Sequence, residues 1–395
     1  MMLSEVLESL KAWEGRKIAV AMSGGVDSSL AAVLLHRAGA GVIGLNMCLW
    51  RQGDLGEKGG QPASGPPPDS PDARAVADRF GFPFYSFDFR AGFRKAVIEP
   101  FITEYLAGRT PNPCVHCNKH FKLGALFDQA RAFGAEAIAT GHYCRLAFNQ
   151  ATGRAELRCA ADSAKDQTYY LSGLTQPQLR RLVAPLGELT KPQTRRLARE
   201  LGLHLHDKPG SVDICFVPDN DYRRFLREET QIDETVLAGS IVDVHGRVLG
   251  RHGGIHNYTI GQRKGLGLSA PRPLYVVDLL PGTKTVVVGF EGDILAGAMD
   301  IANINWVGLA PQSVPFRARV KLRYRSPGEL ATFVPDPADP ARARICFDRP
   351  ARAITPGQAA VAYDEETGHS VLVGGWITRR ITDNANPLPP GESSA

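Results

Sequence analysis

The sequence predicts an α/β fold: a doubly wound parallel sheet in the first half, then a small central β-rich domain and a C-terminal β-barrel. Three observations carry this expectation. Residues 17–140 alternate short apolar runs with helical segments, which is the pattern of a parallel sheet covered by helices. The first apolar run ends in a glycine turn that opens a helix. Beyond about residue 217, helical spacing gives way to short β-like runs punctuated by turn residues, the pattern of all-β modules.

In chain order, "KIAVAM" (17–22) reads as a buried strand and "SSLAAVLLHRAG" as an apolar helix, with "GVIGLNMCLW" as a second strand. "PDARAVADRFG" is a helix and "PFYSFDF" a third strand. "AGFRKAVIEPFITEYLAG" is a longer helix that Pro100 should kink, because proline lacks the N–H that the ladder needs. Residues 117–134 are helical by apolar spacing, and "AEAIATG" is another strand. Between strand and helix, 51–71 is Gly/Pro/Ser-rich and aperiodic, a long mobile loop that is either a lid or an ornament. A short helix, "DNDYRRFLREE", precedes the β-like runs from "GSIVDVHGRVLG" to "HSVLVGGWIT". The expected domains are 1–217, 218–291 and 292–383, with 384–395 a disordered tail.

With 395 residues the chain can bury ordinary cores without staples. No apolar run approaches a membrane span, and "MMLSEVLESLKAWEG" is amphipathic and acidic rather than a signal peptide. The expectation is a cytoplasmic protein without a membrane partner. Seven cysteines at irregular spacing do not make a secreted disulfide framework; in a reducing compartment clustered thiols are catalytic or metal-binding. The net charge of +5 is compatible with nucleic acid and does not by itself require it.

The most informative stretch is "AVAMSGGVDSSLAAVLL". A strand ends at Met22, Ser23-Gly24-Gly25 makes the turn, and Val26-Asp27-Ser28-Ser29 opens a helix. Glycines admit a ligand close to the backbone, and a helix start offers unpaired N–H groups to an anion. Asp27 could hold a magnesium ion bridging phosphates. The loop contains no Lys, so it is not of the Walker type. SGGVDS resembles the signature of the PP-loop ATP pyrophosphatases. That resemblance implies a loop that grips the β- and γ-phosphates while AMP is transferred to a carbonyl or amide oxygen.

A second stretch, "GRTPNPCVHCNKHFK" (108–122), sets Cys114 and Cys117 three residues apart. Such a pair can be half a zinc site, a redox couple, part of an iron–sulfur ligand set, or a reactive thiol with a neighbour. There is no second CxxC, whereas structural zinc commonly takes two close pairs. Cys215, in "DICFV", reads as lying on a short apolar strand at the edge of the first domain. Cys48, Cys144, Cys159 and Cys346 read as small buried hydrophobes.

"GRTPNPCVHCNKHFK", "ATGHY", "KDQTYYL" and "DICFV" occur in the order and approximate spacing of the bacterial tRNA-specific 2-thiouridylases. "HNYTIGQRKGLG", "LRYRSPG" and "AITPGQAAV" continue the match through nearly the whole chain. The resemblance implies ATP-dependent 2-thiolation of the wobble uridine of tRNA, with ATP held at Ala21, Met22, Ser23, Gly24, Gly25, Val26, Asp27 and Ser28. Met47 and Gly141 match further nucleotide contacts. The C2 oxygen would attack the α-phosphate, releasing pyrophosphate. Sulfur would then attack carbon-2, and AMP would leave. By the same resemblance Cys117 is the nucleophile and Cys215 carries a persulfide, leaving a Cys117–Cys215 disulfide to be reduced. Basic neighbours Lys119 and Lys122, and a helix start at Cys117, should favour the thiolate.

The resemblance also places tRNA contacts at Asn112, Pro113, Cys114, His142, Lys165, Asp166 and Gln167. Arg323, Tyr324 and Gln358 would brace the anticodon stem-loop. It further implies an upstream sulfur-carrier protein or cysteine desulfurase. Many members of the family carry Asp where this chain carries Cys114, so that residue's acid/base or base-orienting role does not carry over. The substitution makes a three-thiol site of Cys114, Cys117 and Cys215. Three thiolates could hold a 4Fe–4S cluster with one iron open for hydrosulfide, a second route beside the persulfide. Two other classes stay in view: a PP-loop amidating ligase using ammonia, and a non-enzymatic, metal-stabilised RNA-binding protein.

Overall fold

The computed structural model describes residues 2–50, 70–208, 214–232 and 234–382. The stretch 51–69 of the expected mobile loop and the expected tail 384–395 lie outside them. The described residues form two compact units: those within 1–97, 114–220 and 369–371, and those within 98–113, 221–368 and 372–382.

The first unit is built on a five-stranded parallel sheet. Its strands are β1 (Lys17–Ala21), β2 (Gly41–Cys48), β3 (Phe84–Asp88), β4 (Ala137–Ala139) and, after a hairpin, β7 (Leu182–Val183), in the order β3-β2-β1-β4-β7. The hairpin is β5 (Arg145–Asn149) with β6 (Arg154–Arg158). β1 is central, with Ile18 opposite Val42 on one side and Ala137 on the other. A strand covered on both faces should be a continuous apolar run, and Ile18, Ala19 and Val20 are fully buried.

Helix α1 spans Leu3–Ser9, α2 Val26–Arg37 and α3 Pro71–Phe80. α2 has no polar stripe: Leu30 through Leu35 are all fully buried, and its charge sits only at the two ends. Ser70 caps α3 by accepting from Ala73 N, with Pro71 at the first helical position.

Two of the expected helices are interrupted. Residues 90–106 are α-helical at Arg90–Phe93 and Glu99–Leu106 but π-helical across Arg94–Ile98. Pro100 cannot donate to the carbonyl four residues back, and the widened turn absorbs that defect instead of a sharp kink. The thiol-bearing helix starts earlier than expected, at Pro113–Cys117, and widens across Asn118–Ala125 before Leu126–Ala132. Gln178 Nε2 donates to the carbonyls of Lys119 (2.7 Å) and Leu123 (3.0 Å) in the widened stretch.

The second unit carries two β modules. β8 (Gly239–Asp243), β9 (Val248–His252), β10 (Tyr275–Leu280) and β11 (Thr285–Gly289) form a sheet of order β10-β11-β8-β9. Ile241, Val276, Val286 and Val288 fill its core. Then β12 (Leu295–Trp306), β13 (Phe316–Lys321), β14 (Glu329–Pro335), β15 (Arg342–Arg352), β16 (Ala359–Tyr363) and β17 (Val371–Ile381) close into a barrel, β12-β15-β14-β13-β16-β17. Met299, Ile301, Val320, Phe333, Ile345 and Ile377 pack inside. Among the described residues no helix is long and apolar enough to cross a membrane.

The barrel also buries a charge group. Asp300 on β12 accepts from Arg344 Nε (2.9 Å) and Arg379 Nη2 (2.7 Å), and Arg344 is 6% exposed. Asp300→Ala would take from that guanidinium its Asp300 carboxylate, and removing one partner of a buried pair costs about 3–5 kcal/mol. A urea titration should show the barrel transition at clearly lower denaturant. An unchanged midpoint would refute the assignment.

Candidate active site

The phosphate loop follows β1, at the C-terminal edge of the sheet where open α/β folds bind ligands. Ser28 closes it: Oγ lies 3.2 Å from Ser23 N and donates to Gly25 O at 3.3 Å. Gly24 takes φ +75, and a Cβ there would stand 2.3 Å from Ser70 Oγ. Ala21 and Met22 lead into the loop, Met22 N donating to Leu45 O (2.8 Å), and Val26 is buried at its far side. Met47 sits near the end of neighbouring β2, partly buried. Gly141, just past β4, lies so close to the α2 start that a Cβ would be 2.5 Å from Ser28 N. Only glycine allows that approach.

The loop has no lysine of its own, but two arrive from distant sequence. Lys191 Nζ binds both carboxylate oxygens of Asp27, at 2.6 and 2.7 Å. Tyr143 Oη donates to Asp27 Oδ1 (2.9 Å) and pairs with the Thr194 hydroxyl (2.9 Å). Burial, and next the Asp27 charge, raise the Tyr143 phenol so that it stays a donor. Lys208 Nζ donates to Gly24 O (2.9 Å) and pairs with Asp72 (2.6 Å). Asp27 was expected to face magnesium, yet its carboxylate is already held by an ammonium and a phenol. A cation at Asp27 requires Lys191 to let go. Sequence reasoning missed both lysines. The capping box Thr190–Gln193 marks a helix start with Lys191 in its first turn, but nothing local shows what that turn faces.

The thiols form the second part. Cys117 is 8% exposed, on the helix whose residue Asn118 is buried and donates to Tyr170 O (3.1 Å). Cys117 feels the charges of Lys122, Cys215 and Cys114. Cys114 is half-buried. Cys215 lies not on a strand but in a turn, where Val217 N donates to Ile214 O (3.0 Å). Phe216 anchors that turn, fully buried and packed edge-on to Phe93 (5.8 Å), and leaves Cys215 exposed. Lys122 is the common neighbour, acting on Cys117, on Cys215 and on His142 after β4.

Activated thiolates were expected, and this form does not hold them. Burial outweighs Lys122 and pushes the Cys117 thiol up to about 12. Crowding by protein atoms raises Cys215 as well, despite its exposed surface. Cys117 sits at the end of the first helical turn rather than at its start, so the helix dipole gives it less help. The same facts bear on the cluster. Among the described residues no group of three or more His, Cys, Asp or Glu side chains is placed to hold a metal ion. Nothing in that arrangement supports a 4Fe–4S cluster on Cys114, Cys117 and Cys215.

A shift of Cys117 from 9.0 to about 12 cuts the thiolate at neutral pH about a thousandfold, while the more basic thiolate regains about twentyfold in nucleophilicity. Iodoacetamide should therefore label Cys117 about fiftyfold slower than an ordinary thiol at pH 7.5, before its burial slows it further. The rate should keep rising with pH beyond 9. A plateau near pH 8 would contradict this.

Of the other expected contacts, His142 is buried, shares a hydrogen with Thr140 Oγ1 (2.9 Å), and is held neutral by burial and Lys122. Asp166 is buried, accepting from Ala160 N (3.0 Å) and Thr168 Oγ1 (2.7 Å), and Gln167 Oε1 accepts from Tyr143 N (3.0 Å). These are internal struts; Lys165 is the exposed member of that trio. In the second unit, Asn112 and Pro113 are buried, Arg323 is exposed in the turn after β13, and Tyr324 beside it is half-buried. Gln358 Nε2 donates to the carbonyls of Thr110 (2.9 Å) and Pro111 (3.2 Å).

Fold and site together define an α/β nucleotide-binding protein of the PP-loop class, with a thiol pair in the same unit and two β modules beyond it. Sequence profiles divide the chain accordingly: a tRNA methyl transferase HUP domain matches 16–219, a tRNA methyl transferase PRC-barrel domain 224–290, and an aminomethyltransferase beta-barrel domain 297–377. The tRNA-specific 2-thiouridylase MnmA of Acidobacterium capsulatum is 46% identical over 372 residues, covering 91% of this chain and 98% of the relative. That of Solibacter usitatus is 46% identical over 371 residues with the same coverage, 91% and 98%. That of Clostridioides difficile is 40% identical over 365, covering 92% and 98%. The chain belongs to the tRNA-specific 2-thiouridylase MnmA family.

Proposed function

We propose that this chain uses ATP to replace the C2 oxygen of the tRNA wobble uridine with sulfur. What carries the reading is a phosphate-binding loop and a set of thiols in one α/β unit, the thiols gathered round Lys122. The profile descriptions speak of methyl and aminomethyl transfer, but paired thiols serve sulfur chemistry, and the full-length relatives are named for thiolation.

ATP would lie across Ser23–Ser28 with its phosphates on the α2 N–H groups. Magnesium, when bound, would neutralise phosphate charge at Asp27. Lys191, released from Asp27, would move its ammonium onto the phosphates. The uridine O2 attacks the α-phosphate and pyrophosphate leaves, which turns a poor leaving group into a good one. A persulfide on Cys215, loaded by an upstream sulfur carrier or desulfurase, supplies its terminal sulfur to carbon-2. Cys117 attacks Cys215 Sγ as that sulfur departs, and the oxygen leaves on AMP. One C–S bond forms and one C–O bond breaks. The S–S bond of the persulfide becomes a Cys117–Cys215 disulfide, which a thiol reductant must reopen.

The exposed Cys215 suits receipt of sulfur from another protein, and the buried Cys117 suits the water-excluded step. We assign RNA contacts to Lys165 in the first unit and to Arg323 and Tyr324 on the barrel, where splayed anticodon bases can be stacked and bonded at their edges. AMP formation that needs tRNA and is indifferent to ammonia supports this reading. AMP formation driven by ammonia without tRNA favours an amidating ligase.

A further inference from the structure

Helix Glu99–Leu106 runs into a short strap, Gly108–Pro111, that both β modules grip. At Gly108 (φ +70) a Cβ would stand 3.2 Å from Ile255 and 3.3 Å from Leu279 and Pro281, residues of the four-stranded β module. Arg109 is fixed by two hydrogen bonds to the Glu104 carboxylate, at 2.6 and 2.5 Å. From the barrel side, Pro356 O accepts from Thr110 N (2.9 Å), and Gln358 Nε2 takes the carbonyls of Thr110 and Pro111. Gly357, at φ +90, lies where a Cβ would meet Thr110 N and O at 3.0 Å.

The strap leads by six peptide bonds from Pro111 to Cys117, through Asn112, Pro113 and Cys114. Pro111 and Pro113 stiffen it, since each fixes φ, and neither can donate a backbone hydrogen bond. The carbonyls of such a segment need side-chain donors, and Gln358 supplies two bonds at once.

We propose that Gln358, helped by Gly357, is a positioning residue. It seats the strap and, through the six peptide bonds that follow Pro111, steadies Cys117. The proposal gives Gln358 this seat beside the expected tRNA contact: its Nε2 is committed to Thr110 and Pro111. For its effect on turnover the proposal rests on the thiolation reading; for its effect on thiol reactivity it does not.

The test uses full-length Gln358→Glu and Gln358→Lys. Glutamate faces the two carbonyls without a hydrogen to give, whereas lysine keeps donors there. Iodoacetamide labelling of Cys117 is followed by peptide mass spectrometry, with Cys346 on β15 reporting on barrel integrity. In Gln358→Glu the Cys117 labelling rate should change about tenfold, the scale of two lost hydrogen bonds, with Cys346 unaltered. The kcat of thiolation should fall about tenfold while the KM for tRNA stays within about twofold. Gln358→Lys should restore both. Should Gln358→Glu loosen the barrel, seen as a parallel rise at Cys346, Gln358→Met removes the donors without adding charge and gives the same two-way reading. A raised KM for tRNA with kcat and Cys117 labelling unchanged would overturn the proposal and make Gln358 an RNA contact. Were the wild type not to thiolate tRNA, that reading would fall, and the labelling arm would still decide this one.

Discussion

Cys117→Ser is expected to release pyrophosphate from ATP in the presence of tRNA and yet form no measurable 2-thiouridine, a loss on the order of a thousandfold or more. The chemistry divides there. On the proposed reading adenylation uses the phosphate loop, Asp27 and Lys191, while the thiols serve the sulfur step. Sulfur release needs a nucleophile able to open the Cys215 persulfide, and serine oxygen does not undertake that exchange at neutral pH. Cys215→Ser should fail at the same step but should in addition carry no persulfide after incubation with a sulfur donor, which mass spectrometry of the intact protein reads directly. Equal loss of pyrophosphate release in Cys117→Ser would show that the thiol serves the first step and would undo this division. Burial raises the Cys117 thiol, so on this reading uncovering it favours the thiolate that the sulfur step needs. Binding of ATP and tRNA should therefore accelerate its labelling.

Lys191→Met carries the second large effect. The kcat/KM for ATP should fall about a hundredfold to a thousandfold, the usual consequence of removing a group that meets charge in the transition state. Asp27→Ala should fall by a similar factor, and the double variant should fall little further, because groups that act as a unit are not additive. In the resting form Lys191 and Asp27 neutralise one another at 2.6 Å, so each keeps the other ready without leaving a bare charge in the site. The two losses simply multiplying in the double variant would argue that the pair has no joint role in phosphate handling.

Much of this was legible in the sequence, and the reasons for the rest are physical. β1, the SGG turn and α2 stand out because a strand buried on both faces and a helix buried all round must be apolar throughout. β12 does not read as a strand by itself: "LAGAMDIANINW" is rich in Ala and Asn and weak in β propensity. It becomes a strand through pairing with β15 and β17, with register shifts at Ala296/Ala298 and Asp300/Ile301. The hairpin of β5 and β6 was too short and charged to stand out. The family motifs named Cys117, but Lys119 and Lys122 said nothing about burial, which raises its thiol. Cys215 was read as a strand residue because "DICFV" is apolar, whereas one buried ring, Phe216, pins a turn there. Lys191 and the Gln358 seat were invisible because each pairs residues more than a hundred positions apart.

The most direct test of the central claim is mass spectrometry of nucleosides from tRNA incubated with the protein, ATP and a sulfur donor, in wild type, Cys114→Asp, Cys117→Ser and Cys215→Ser. The account predicts that in the wild type the wobble uridine exchanges one oxygen for one sulfur, with one AMP and one pyrophosphate formed per exchange. It predicts that Cys114→Asp retains the reaction while Cys117→Ser and Cys215→Ser lose it. Full thiolation by Cys117→Ser, or a wild type that consumes ATP and leaves the uridine unchanged, would contradict it.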